Sequence, residues 1–140
     1  MLRTDLSADD RLICGDQVQL QQVLLNLIMN GIEAMSAVTE RAKVLTIASQ
    51  PCEWDGMRVA VEDTGTGLDP ATADRIFDRF FTTKPDGMGM GLSICRSLIE
   101  AHGGRLWASP RHPHGALFQF TVHDSQSVKE QVQQQRGVIR

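Results

Sequence analysis

Residues 17–35 read QVQLQQVLLNLIMNGIEAM, and this stretch decides the architecture. Leu20, Val23, Leu24, Leu27 and Ile28 recur at steps of three and four, the spacing that lines side chains along one helical face. Asp16, a good N-cap, stands just before the run. The sequence therefore predicts a long helix from Gln17 to about Met35, with its apolar face on a core. Gln19, Gln22, Asn26, Asn30 and Glu33 follow the same spacing and make a second, polar stripe. Asparagine is a mediocre helix former, so two of them in mid-helix ask for a reason. The ordinary reason is a solvated face. The chemical one is a hard-cation site, because a carboxamide oxygen is a neutral acceptor suited to a Mg2+ that keeps several waters and is shared with phosphates.

Outward from this helix the chain alternates. Residues 2–6 and 11–14 are strand candidates before it, and 43–49 and 57–62 follow it, joined as a hairpin across PCEWDG. Pro70 predicts a short helix running toward Ile76. GLSICRSLIEAHGG predicts a second helix from about Gly91, with Gly103 or Gly104 as its C-cap. Strands at 105–109 and 116–122 flank PRHPHG. Residues 124–140 carry five glutamines and little apolar surface, which reads as a polar tail or linker behind a domain at 1–123. Strands, helix, strands, helix, strands predict an α+β fold, with helices on one face of a mostly antiparallel or mixed sheet.

The composition of the 140 residues agrees with one globular domain: 41% hydrophobic and 22% charged excludes disorder over most of the chain. At this length folding removes roughly two-thirds of the unfolded chain's surface from water, so a core forms without staples. No apolar run approaches the roughly 18 residues of a membrane span, and MLRTDLSADD has no apolar signal core. These features predict a cytoplasmic domain without membrane contact. A net charge of −3, from 14 basic and 17 acidic residues, gives no reason to expect a nucleic-acid partner. Cys14, Cys52 and Cys95 are odd in number, widely spaced and form no C-x-x-C, which fits a reducing compartment without a zinc site.

Three further motifs carry chemistry. Asp63-Thr64-Gly65-Thr66-Gly67 follows the strand MRVAVE. An acid at a strand end, followed by spaced glycines, lets backbone approach a flat ligand and lets the carboxylate accept from an exocyclic amine. A plain turn explains the same residues. Gly87, Gly89 and Gly91 alternate at the opening of the second helix, where free N–H groups and the helix N-terminus favour phosphate, and Lys84 adds a point charge. A pliable helix entrance with adaptable Met88 and Met90 is the bland counterpart. IFDRFFTTK, residues 76–84, holds three of the five phenylalanines. Buried, they anchor one end of a lid over residues 81–89.

In this order and spacing the four elements resemble the four boxes of the ATP-binding catalytic domain of bacterial sensor histidine kinases. QQVLLNLIMNGIEAM is similar to the asparagine box, VEDTGTGLD to the first glycine box, IFDRFFTTK to the phenylalanine box and GMGMGLSICRSLIEAHGG to the second glycine box. The resemblance covers roughly residues 2–122. The short lid, TTKPDGMGMGLSI, looks most like the nitrogen- and oxygen-sensing type.

The resemblance implies a Bergerat-type fold, a two-layer α/β sandwich whose mixed sheet of about five strands is covered on one face by helices. It implies ATP and Mg2+ as ligands. Asp63 would accept from the adenine amino group, and Gly65 and Gly67 would shape the adenine pocket. Asn30 would bind Mg2+, with Asn26 one turn away in the phosphate region. Gly87, Gly89 and Gly91 would border the triphosphate under a lid that is mobile without nucleotide, with Lys84 reaching the phosphates. Phe80 and Leu92 complete the nucleotide-binding set. Two positions depart from the pattern: Glu33 and Thr82 stand where many of these kinases have Lys and Arg.

In related ATPases the residue one turn before the magnesium asparagine is a water-activating Glu. Here it is Asn26, no general base at neutral pH, which implies that ATP is held for a protein nucleophile. A self-contained ATPase and a non-catalytic binding module are the competing functions. The family's phosphoacceptor His, on a dimerising helical hairpin, has no counterpart at His102, His112, His114 or His123. The expected partners are therefore a separate phosphoacceptor hairpin of the same full-length protein and, through it, a response regulator. This domain by itself is expected to be a monomer unable to autophosphorylate.

Overall fold

A computed structural model describes residues 1–6, 16–52, 56–71, 73, 75–78 and 91–123. The elements run β1 (Leu2–Leu6), α1 (Gln17–Met35), β2 (Leu45–Cys52), β3 (Gly56–Asp63), α2 (Gly91–Ala101), β4 (Leu106–Pro110) and β5 (Ala116–His123). The sheet order is β1-β2-β3-β5-β4. β1 pairs parallel with β2, Leu2 opposite Leu45, and every other pair is antiparallel. A parallel pair needs a long crossover, and the segment containing α1 supplies it. The expected mixed five-stranded sheet in a two-layer α+β arrangement is what the chain adopts.

Alternation sorts the strands into two faces. On β5, Ala116, Phe118, Phe120 and Val122 are buried, while the residues between them are only half-buried. Their cross-strand partners Val61, Val59 and Met57 on β3 continue the same layer. Against it pack Val23 and Leu27 of α1 and Cys95 and Ile99 of α2, all fully buried. Burying a side chain such as Leu27 or Ile99 contributes about 1.5–3 kcal/mol, so this seam is the main attachment of both helices. Leu20, Leu24 and Ile28 lie half-buried beside it, as the helical spacing predicted.

The helix ends follow their caps. The Asp16 carboxylate accepts from the N–H groups of Val18 and Gln19 at 2.9 and 3.1 Å. At the end of α2, Gly104 N–H donates to the Ile99 carbonyl and Gly103 N–H to that of Glu100, with Gly103 at φ +76°. This paired closure requires a left-handed residue, which glycine adopts without strain.

Several boundaries differ from the sequence reading. β2 starts at Leu45 and runs through Pro51 to Cys52, not over 43–49. Pro51 lies beyond the last β1 partner, Ser49, where β2 has β3 alone as neighbour and a missing N–H is tolerated. β4 is shifted by one residue, ending at Pro110. The described residues from 70 to 77 form turns in place of the short helix expected after Pro70. Ile76 and Phe77 nevertheless dock on the core, and Phe77 meets Phe118 edge-to-face at 6.3 Å, so packing fixes this segment without a helix. The strand expected at 11–14 and the tail at 124–140 lie outside the described residues. No helix among the described residues is long and apolar enough to cross a membrane.

Candidate functional site

Asp63 is the one buried charged or polar side chain among the described residues, 2% exposed at the end of β3. Its Oδ1 accepts from Gly65 N–H at 2.9 Å and Ala116 N–H at 3.3 Å. Burial pushes its carboxyl above the ordinary value of 3.8. The two N–H donors and the Arg111 guanidinium work in the opposite direction, and neighbouring Glu62 adds to the rise. Arg111 is itself held by an ion pair to Glu62 and a 3.0 Å bond to the His114 carbonyl. Above Asp63 lies Gly31 of α1, where an added Cβ would stand 3.4 Å from the Asp63 Cβ and 2.7 Å from Leu45 Cδ1. Glycine at 31 costs helix propensity and in return lets α1 settle onto the Leu45–Asp63 pair.

The loop after Asp63 is clasped on three sides. From α1, the Ala34 carbonyl accepts from Thr66 N–H at 3.1 Å, and a Cβ on Gly65 would fall 2.5 Å from that oxygen. From the α1–β2 connector, Val44 N–H donates to Thr64 Oγ1, which donates to the Ala42 carbonyl, at 3.0 and 2.9 Å. Arg41 donates to the carbonyls of Thr64 and Gly65 at 3.1 and 2.6 Å. From the β4–β5 turn, Gly115 is pressed against the Asp63 and Thr64 backbone.

The two helices meet at Asn26 of the polar stripe. Asp16 N–H donates to His102 Nε2 at 3.0 Å, and Asn26 Nδ2 donates to Cys95 Sγ at 3.5 Å. The two contacts progress in opposite directions along the helices, so α1 and α2 run antiparallel. Asn30, one turn beyond Asn26, therefore stands toward the end at which Gly91 and Leu92 begin α2. Among the described residues, a Cβ on Gly91 would meet nothing within 4 Å. Packing among the described residues gives no reason for glycine there, and a helix N-terminus favours anions.

The sequence profile described as histidine kinase-, DNA gyrase B- and HSP90-like ATPase matches residues 15–126. The chain belongs to this family. It is 47% identical over 121 residues to the sensor protein FixL of Bradyrhizobium diazoefficiens, a match covering 86% of this chain and 24% of the relative. It is also 47% identical over 108 residues to the sensor protein TdiS of Thauera aromatica, covering 76% and 20%. The chain thus spans a quarter or less of these relatives. The solved catalytic domain of histidine kinase ThkA superposes with a TM-score of 0.73 at 34% identity, covering 87% of this chain and 77% of that one. Full-length ShkA in complex with AMPPNP gives 0.75 at 29%, covering 88% and 25%. As a member of this ATPase family the chain is a nucleotide-binding domain.

Asp63, Gly65 and Gly67 thus share one corner with Gly115, while Asn26 and Asn30 stand on α1 and Gly91 and Leu92 open α2. Glu33 is exposed one turn from Asn30. Phe80, Lys84, Gly87 and Gly89, with Thr82 and the rest of the expected lid, lie outside the described residues. Sequence reasoning missed Arg41 and Gly115. Arg41 acts through backbone carbonyls more than twenty positions away, which leaves no periodic signal. Gly115 had one available signal, a glycine closing PRHPHG just before a strand.

Proposed function

We propose that this chain binds Mg-ATP between α1 and α2 and donates the γ-phosphoryl group to a histidine on a separate phosphoacceptor hairpin of the full-length protein. The observation that carries the adenine end is Asp63. A carboxylate is buried where burial disfavours it, at the cost of raising its pKa, and fixed through one oxygen by two backbone donors. Such a group is poised to accept from an exocyclic amine with its other oxygen. Gly65 and Gly67 complete the base pocket. Gly91 and Leu92 meet the phosphates from the α2 terminus, with Gly87, Gly89, Lys84 and Phe80 contributed by the lid.

The cation end rests on donor chemistry. Among the described residues no three or more His, Cys, Asp or Glu side chains converge, which suits Mg2+ shared with phosphate and water more than a protein cage. Asn30 offers the carboxamide oxygen for it. Bound Mg2+ supplies neutralisation of charge building on the phosphoryl oxygens.

Asn26 has its amide on the buried Cys95 thiol, whose own pKa burial pushes up, and it supplies no base for water. The domain thus holds ATP until the histidine nitrogen attacks the γ-phosphorus, the bond to the ADP oxygen breaks and ADP leaves. The downstream acceptor is a response regulator, as supported by the solved complex of ThkA with response regulator TrrA. We assign these roles to a domain at 1–123, monomeric alone and working in the cytoplasm.

ADP titration by calorimetry with and without Mg2+ tests the reading. One-to-one binding strengthened by Mg2+ is expected. Asn30→Ala should abolish the magnesium dependence while sparing adenosine. Undiminished magnesium dependence in this variant would remove Asn30 from the site, and no binding at millimolar ADP would remove the kinase reading altogether.

A further inference from the structure

We infer that Arg41, on the α1–β2 connector, is a positioning residue for base selection: it sets the turn that aims Asp63, without touching nucleotide itself. The inference rests on the assignment of Asp63 to the adenine amino group. Arg41 Nε and Nη2 donate to two successive carbonyls, Thr64 at 3.1 Å and Gly65 at 2.6 Å. The third nitrogen, Nη1, pairs with Glu40 Oε1 at 2.7 Å. Three nitrogens of one planar fork are thus committed, and the fork geometry is specific to guanidinium. The Arg41 side chain is 23% exposed, against 67% for Glu40, so the bonds to the turn are the sheltered ones.

The consequence follows from peptide planarity. Fixing the Thr64 carbonyl fixes the plane that also contains Gly65 N–H, and that N–H is the closer of the two donors to Asp63 Oδ1. Fixing the Gly65 carbonyl likewise fixes Thr66 N–H, which donates to Ala34. Arg41 therefore holds both peptide planes that separate the carboxylate from α1. The Thr64 hydroxyl already ties the connector to the loop through Val44 and Ala42. The loop is thus attached by bonds other than those of Arg41, while Arg41 is what binds the Thr64 and Gly65 carbonyls directly.

The test compares ADP with inosine diphosphate, which carries a carbonyl where adenine carries the amine, on the full chain. Wild type should prefer ADP, and Asp63→Asn should erase much of that preference. Arg41→Ala should lower the ADP-to-IDP affinity ratio by about tenfold, the scale of one misdirected charge-assisted hydrogen bond. Arg41→Lys, with a point donor in place of the fork, should fall between. A merely structural role would weaken both nucleotides alike and leave the ratio unchanged. If Arg41→Ala does not fold, Arg41→Lys carries the comparison. An unchanged ratio in the Arg41 variants, with the ratio lost in Asp63→Asn, overturns the role of Arg41 alone. An unchanged ratio in Asp63→Asn removes the base-selection assignment and this inference with it.

Discussion

Asp63→Asn should weaken binding of every adenine nucleotide by about 1.5–3 kcal/mol, the range for a hydrogen bond to a charged group, without lowering thermal stability at neutral pH. The two halves of this result have one cause. The Asn carbonyl oxygen can still accept from Gly65 and Ala116, the two N–H groups that Oδ1 serves. What disappears is the charge, and burial makes that charge costly to the empty domain. Burial raises the folded pKa above the unfolded value. Asp63's contribution to stability is therefore intact below the unfolded pKa and lost as pH rises through the folded one. Nucleotide affinity has the opposite sign, since an amine is accepted best by the ionised form, and it should fall as pH drops through the folded pKa. Calorimetric dissociation constants for ADP across pH, beside melting curves of both proteins, check both signs. An unchanged ADP dissociation constant in Asp63→Asn would sink the assignment.

Gly115→Ala should destabilise the domain by about 3 kcal/mol or more, a fall in melting temperature of roughly 10 °C. The residue sits at φ +102°, a conformation side chains rarely adopt, and an added Cβ would lie 1.9 Å from the Asp63 carbonyl oxygen and 3.0 Å from Thr64 Cα. Both obstacles are backbone, so no rotamer change relieves them. Relief requires moving the β4–β5 turn or the Asp63 loop, and either shift pulls Ala116 N–H away from the carboxylate. Residual folded protein should bind ADP more weakly too. Gly91→Ala is the contrast: its Cβ meets nothing within 4 Å among the described residues, so the melting temperature should hold while nucleotide binding responds. A Gly115→Ala protein that melts like the wild type would contradict the close packing of this corner.

The two helices and the alternating strands were legible because their signals are periodic and local. Val23 and Leu27 are spaced for a buried face, and Ala116 to Val122 alternate without a break. Asp63 was legible as an acid at a strand end followed by spaced glycines. The parallel pairing of β1 with β2 was not, since strand partners are set by which faces the helices cover and no local pattern records them. The turns among the described residues from 70 to 77 show the converse: proline at a helix start is a local signal, overruled where Ile76 and Phe77 find the core. Arg41 escaped because its partners are main-chain carbonyls, identical at every position of a sequence. Phe80, Lys84, Gly87 and Gly89 lie outside the described residues, and their roles, like those of Asn26, Asn30, Asp63, Gly65, Gly67, Gly91 and Leu92 toward nucleotide, are proposals.

Cys95 lends the domain an internal clock. Its thiol is completely buried at the contact of α1 with α2, and its raised pKa keeps it protonated, the form that resists alkylation. Modification must wait for the helices to part, so the labelling half-life of this sulfur counts openings of the seam beside the proposed phosphate site. Any ligand that bridges the two helices should lengthen that half-life in proportion to the openings it suppresses.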